Sequence, residues 1–351
     1  MLIFYTVALI SLCIILKKNR KLSFLLFFLL LFIGACRDIT IGTDTGTWYY
    51  KNWFFTTFNP NTWNHYTPFE PGFNLYIAFF KKYISSSYTA FYSLLFIFTY
   101  ILFIYFFKNE KYNIGIGLSL FLLTGNYLFC LNIMRQTLAL SIAVIIISKY
   151  IKDNRHIQFF LSIILVSFLV HKSILILGLT PLFKLNKIKN YLNTKTLFLL
   201  WLVFLFLSNN IYLINAIYPY IQLLTHNTTY ARHIDALIEY GEQERTVGYV
   251  GFSILILSLL KLSEGKRTTY FYIGYIGLLF SMLTKSIMPE LGRVFINMSF
   301  FIVPYLTTFY QNIKTTKKID LYILYIVAVY LVFSFISNLE NSSFIPYKTF
   351  F

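Results

Sequence analysis

The sequence predicts an all-α polytopic membrane protein with about 12 transmembrane helices, and three observations predict it. Only 12% of the 351 residues are charged while 58% are hydrophobic, whereas a soluble domain carries about 25% charge. Apolar runs of helical length recur from end to end, separated by short Lys-rich connections. The short alternating segments of about ten residues that mark a transmembrane β-barrel are missing from the pattern. Nothing reads as a separate soluble domain, so residues 1–351 are expected to form a single integral membrane domain.

Along the chain, spans are expected at 2–16, 22–36, 88–107, 112–131, 133–151, 157–170, 173–183, 195–210, 247–262, 269–287, 294–312 and 319–337. Residues 71–83, PGFNLYIAFFKKY, are apolar but too short to cross, at about 1.5 Å per residue against a core of about 30 Å. They read as an interfacial or re-entrant helix, with Pro71 suited to its first turn and Glu70 to its positive end. Segments 157–170 and 173–183 are also short, and a hairpin turning at His171–Lys172 is preferred to one long helix. The long helix would bury His171 in mid-membrane and invert everything after it. Within the aromatic connection 211–246, surface helices are expected at 211–225, broken near Pro219, and at 229–240.

Charge placement sets the topology. The connections KKNRK, KNEK, KYIKDNR, KLNKIKN, KLSEGKR and KTTKK hold 18 of the 30 Lys and Arg, and with twelve spans all six fall on one side. The positive-inside rule makes that side cytoplasmic. The same scatter argues against nucleic acid as the partner of a chain with net charge +17. The other side receives the long connections, 37–87 and 211–246, and nine of the thirteen acidic residues. The N-terminal MLIFYTVALI lacks a basic start and is not expected to be a cleaved signal, and IGAC at 33–36 reads as a chance match to a lipoprotein box. Cys13, Cys36 and Cys130 have neither metal nor disulfide spacing and are expected to be buried, inert thiols.

Ionisable groups at a membrane edge cost about 2.5–3.5 kcal/mol each near a helix centre and so need a reason. The outer-side candidates are Arg37, Asp44, Glu70, Arg135, His171, Lys172, Lys285, Glu290 and Arg293. Arg37 reads equally as a snorkelling anchor and as a site residue. Glu290 lies three residues before Arg293 and suits a helical pair with it. Three Arg on one face would make a diphosphate site, because guanidinium forks match phosphate oxygens. His171 is the first candidate for a general base, with Asp44 and Glu70 behind it. His226 and His233 lack zinc spacing, and no metal is expected.

Four motifs in order carry a family resemblance: R-x4-GTDT from Arg37 to Thr45 followed by Tyr49 and Tyr50, EPGF at 70–73, RQTLALS at 135–141, and HKS at 171–173, with a late Arg293 beginning a span. The chain resembles the EpsG-like branch of the Wzy polysaccharide polymerases from about residue 30 to 310. The resemblance implies a multi-pass glycosyltransferase of the bacterial plasma (inner) membrane, its site facing the periplasm or outside. Such an enzyme polymerises repeat units of O-antigen, capsule or exopolysaccharide carried on undecaprenyl diphosphate, inverting the anomeric centre, without nucleotide or other cofactor. It implies as partners the lipid-linked donor and acceptor, the bilayer, a repeat-unit flippase and a chain-length regulator. Read onto this sequence, Arg37, Arg135 and Arg293 take the leaving diphosphate, Tyr49, Gln136 and Lys172 bind substrate, and His171, Asp44 or Glu70 takes the hydroxyl proton. Segments 51–69 and 211–246 are where glycan specificity is expected. The rival readings are an O-antigen ligase or membrane acyltransferase of the same pathway, and a non-catalytic polysaccharide transporter or flippase.

Overall fold

The basic connections contain the chemistry that stops and restarts helices. In KKNRK, Lys18 adopts a left-handed conformation that ends α1 (Leu2–Lys17), and Asn19 accepts the amides of Lys21 and Leu22 to cap α2 (Arg20–Ala35). Pro71 opens a helix as expected, and Ser87 and Asn113 cap two more through the amides of Ala90 and Ile116. A computed structural model describes residues 1–63, 69–209, 245–287, 289–312, 317–340, 344–345 and 347–349, apart from the side chains of 245–251, 285–291 and 340. Among these residues the regular structure is helical throughout, with one isolated β-bridge between Arg37 and Thr349.

After α1 and α2 come α3 (Tyr50–Phe55), α4 (Pro71–Tyr83), α5 (Tyr88–Asn109), α6 (Ile114–Leu123), α7 (Asn126–Asn132), α8 (Met134–Asp153) and α9 (His156–Leu169). Then follow α10 (Asn186–Tyr191), α11 (Thr194–Asn209), α12 (Arg245–Leu262), α13 (Thr269–Ile287), α14 (Pro289–Ser299), α15 (Ile302–Gln311) and α16 (Lys318–Glu340). The chain divides into two compact units: residues 1–178, 303–316 and 328–351 form the first, and 179–302 with 317–327 the second. In the first, α1 packs on α2 and α6, α2 on α5, α5 on α8, and α9 on both α8 and α4. In the second, α13 packs against α11, α12 and α14. There Arg267 ties the turn after α12 to the start of α11, donating to the carbonyl of Leu192 at 3.2 Å and to the hydroxyl of Thr194 at 2.5 Å.

Three described helices are long and apolar enough to cross a membrane: Tyr88–Asn109, Met134–Asp153 and Lys318–Leu339. Five apolar helices are shorter, so twelve crossings require short helices to span as well. Three expected spans take another form. Residues 112–131 form a broken pair, α6 and α7, bent by 69° where Gly125 takes φ +79°, a conformation that ends α6. Residues 294–312 break between Ser299 and Ile302, just before Pro304, which has no amide to continue a helix. Residues 173–183 are 3₁₀ turns, Lys172–Leu179 and Leu182–Lys184, rather than an α-helix. No continuous helix passes through His171, because α9 ends at Leu169. The helices expected at 211–225 and 229–240 lie outside the described residues. Of the three thiols only Cys130 is buried; Cys13 is exposed on α1, and Cys36 is half-buried.

Candidate functional site

The site grows from the segment that follows α2. Three α5 side chains take carbonyls at and beyond the end of α2: Ser93 donates to Ala35 at 2.5 Å, Tyr92 to Arg37 at 2.6 Å and Tyr88 to Thr45 at 2.6 Å. The end of α7 holds the other edge, where the side chain of Asn132 accepts the Asp44 amide at 2.8 Å and the Leu131 carbonyl accepts the Thr45 hydroxyl at 3.0 Å. Gly42, at φ +89°, makes the turn between these anchors. The GTDT motif then winds into a π-helical turn, Thr45–Tyr49, which continues into α3. That turn carries buried Tyr49 inward, where its hydroxyl accepts the Arg135 amide at 3.1 Å. The C-terminal carbonyls of α3 are satisfied from α4, where the Lys81 ammonium reaches Trp53 at 2.7 Å, Thr56 at 3.0 Å and Phe54 at 3.1 Å.

Arg135, at the start of α8, is the centre of the ionic cluster. Its guanidinium meets the Glu70 carboxylate at 2.6 Å and lies 4.0 Å from the centre of the Phe69 ring. Both side chains are nearly sequestered, at 14% and 11% exposure. The second Glu70 oxygen accepts the Lys172 amide at 3.0 Å. Glu70 therefore occupies the N-cap position of α4 but turns away from that helix end to join α8 to the corner after α9. The Arg135 Nε is buried without a hydrogen-bond partner. At the corner, His171 Nδ1 accepts the Ser173 amide at 3.2 Å and lies 2.8 Å from the Ser173 hydroxyl. A neutral His171 ring therefore carries its proton on Nε2. Gln136 is buried beside Arg135, and the Lys172 side chain is exposed.

Arg37 lies deeper and is wholly buried, not snorkelling. Its guanidinium donates to the Gly34 carbonyl and to the Met134 sulfur, and stacks 4.9 Å from the Tyr92 ring centre and 5.7 Å from that of Phe96. Burial lowers its pKa, an effect the neighbouring tyrosines oppose. The C-terminal segment closes over it: Thr349 bridges Arg37, the Lys348 carbonyl takes the Asp38 amide at 2.9 Å, and Tyr347 donates to Ile33 at 2.5 Å. Asp38 is held below the usual carboxylate range by the amide and hydroxyl of Thr40, which fits it for shaping a turn rather than accepting a proton.

The first unit thus gathers Arg37, Asp44, Tyr49, Glu70, Arg135, Gln136, His171 and Lys172 from four separate stretches of sequence. Arg293 lies in the second unit, exposed on α14, and the Glu290 side chain that was expected to pair with it is outside the described residues, as is that of Lys285. Reading the sequence missed Asn132, Tyr88 and Tyr92, which hold the polar segment in place. The i, i+4 spacing of two tyrosines in an apolar span was the available signal for the latter pair. Among the described residues no three His, Cys, Asp or Glu side chains gather as a metal set.

No curated protein matches the chain in a sequence search, and no solved structure matches it either. A sequence model of the EpsG family matches residues 21–349. With nearly the whole length covered, and the four motifs within that match, this chain belongs to the EpsG family, whose character points to a membrane protein of polysaccharide biosynthesis.

Proposed function

We propose that this chain is a glycosyltransferase that polymerises oligosaccharide repeat units carried on undecaprenyl diphosphate, at the outer face of the bacterial plasma membrane. About twelve passes, including short helices, carry it, with the Lys-rich connections in the cytoplasm. The observation that supports the reading best is the Arg135–Glu70 pair, nearly sequestered and shared among α4, α8 and the His171 corner. An isolated pair of this kind is a poor stabiliser, because desolvating two charges offsets their attraction. A guanidinium with an unpartnered Nε is, however, suited to receive a diphosphate.

The chemistry follows from exchange of partners. The donor diphosphate takes Arg135 and thereby releases Glu70. The acceptor sugar hydroxyl attacks the anomeric carbon of the growing glycan, the bond from that carbon to the diphosphate oxygen breaks, and the hydroxyl proton passes to Glu70. Attack opposite the leaving group inverts the centre. Charge on the departing diphosphate is met by Arg135 and the exposed Lys172. His171, with Nδ1 turned to Ser173, presents Nε2–H as a donor that orients a sugar or phosphate oxygen. Asp44 serves the acceptor side of the same segment. Arg37 positions this machinery by fixing the 37–45 segment to Met134. Arg293 is assigned to the substrate from its place at the head of a late span.

Purified protein supplied with lipid-linked repeat units and no nucleotide should give longer products, and a strain lacking it should display single-repeat glycan. Polymer accumulating on undecaprenyl diphosphate in that strain would instead mean a ligase, and normal chains lacking acetyl groups an acyltransferase.

A further inference from the structure

Beside the ionic cluster runs a groove of about 350 Å³, lined by apolar side chains, within the range of about 300–1,000 Å³ usual for small-ligand pockets. Most of its walls come from the three elements that build the cluster, with Phe98 of α5 beside them. From α4 come Gly72 and Phe73, just after Glu70. From α8 comes Leu138, one helical turn beyond Arg135 and on the same face. From α9 and its end come Leu169 and Val170, immediately before His171. Phe73 spans the boundary, its ring centre 6.0 Å from the Arg135 guanidinium. At the groove's other side Leu75 and Phe98 are half exposed, at 49% and 51%, so it opens onto the surrounding medium. Gly72 keeps the floor tight, because a Cβ there would lie 2.6 Å from the Leu169 carbonyl oxygen.

The lining suits an occupant that is apolar along its length, and the neighbouring Arg135 suits one that is anionic at one end. We propose that the groove seats the first isoprene units of a polyprenyl diphosphate, delivering the diphosphate to Arg135 and Lys172. This rests on the polymerase reading above and adds to it a lateral route by which the lipid carrier enters. The charge complementarity lies in what adjoins the groove: its own lining is apolar, but its wall Phe73 lies 6.0 Å from the Arg135 guanidinium, and its wall Val170 stands two residues before the exposed Lys172.

The test uses the full chain in nanodiscs and a photoreactive undecaprenyl diphosphate analogue that bears no sugar, so binding is read without catalysis. Labelling is expected on peptides containing Leu75, Leu138 and Val170. Undecaprenyl diphosphate should displace it, and phosphatidylglycerol should not. Leu75→Trp, which fills the groove from its exposed side, should weaken labelling about tenfold, equivalent to about 1.4 kcal/mol. It should also raise KM for the polyprenyl-linked substrate while leaving an analogue whose diphosphate bears no isoprene unit unaffected. Leu138→Ala, which widens the groove, keeps the question open to measurement should the Trp variant fold poorly, and should shift the labelled positions. Labelling scattered over the surface, equal competition by phosphatidylglycerol, or indifference to both variants would overturn the groove. Polymer formation without groove labelling would sink this inference and spare the polymerase. Groove labelling without any polymer would do the reverse.

Discussion

Arg37 and Arg135 look alike in the sequence, each an arginine beside an apolar run, yet burial separates them. Each has a buried Nε without a hydrogen-bond partner, but Arg135 keeps a carboxylate partner and a little exposure, whereas Arg37 is sealed among aromatic rings, a carbonyl and a sulfur. Arg135→Lys retains a positive charge for Glu70 but loses the planar fork. It is expected to lower kcat/KM by roughly a hundredfold, about 3 kcal/mol, the scale of a lost donor to a developing oxyanion. Thermal stability should stay near that of the parent, and product ladders with melting curves on the purified protein check both. For Arg37, replacing a buried charge by an apolar side chain of similar length is often nearly neutral for stability, whereas truncation leaves a cavity. Arg37→Met should therefore fold with a melting temperature close to the parent's and lose part of its activity. Arg37→Ala should be destabilised by about 3 kcal/mol or more. Equal melting of the two would contradict the packed environment described for this side chain.

At the level of helices, local chemistry was legible and long-range joining was not. The start of α4 was read from Pro71, while the caps Asn19 and Ser87, which act just as locally on α2 and α5, were not read. The short segment 71–83 was recognisable as a helix of its own because its length cannot cross a bilayer. The motif residues of the cluster were also legible, as costly charges at the ends of apolar runs. The bend between α6 and α7 was hidden in a continuous apolar run, where a single glycine in a left-handed conformation decides the geometry. Nothing near Glu70 in sequence announces Arg135 or the Lys172 amide, since those contacts depend on how α4, α8 and α9 pack. Gly72 tests that packing directly. Gly72→Ala would place a methyl 2.6 Å from the Leu169 carbonyl oxygen and 2.7 Å from its Cβ, so α4 and α9 must part. Overpacking of this kind costs about 1–3 kcal/mol. Hydrogen exchange should show faster amide loss in α4 and α9 than in α1 and α6, with activity falling in step.

For the whole molecule, the positive-inside argument makes a sided prediction. With Cys13, Cys36 and Cys130 replaced, single cysteines at Lys111, Lys152 and Lys266 should react with an impermeant maleimide only after the membrane is opened. Cysteines at Thr43 and Lys172 should react in intact cells. The reverse pattern would place the cluster where nucleotide sugars are available and remove the reason for a lipid-linked donor. The division into two units has its own bearing, because Arg293 belongs to the second while the other assigned residues belong to the first. Arg293→Ala is expected to abolish polymer while leaving the melting behaviour of the Arg135 neighbourhood unchanged.

The bridge between Arg37 and Thr349 has a practical consequence. An affinity handle fused behind Phe351 would follow a strip that bridges Arg37, whose guanidinium is wholly buried, and that holds the Asp38 amide. A purification handle placed ahead of α1 adds nothing to the strip itself and meets it through Phe4, whose ring packs on Tyr347. A protein that is inert when tagged behind Phe351 and active when tagged ahead of Met1 would trace the difference to this seam.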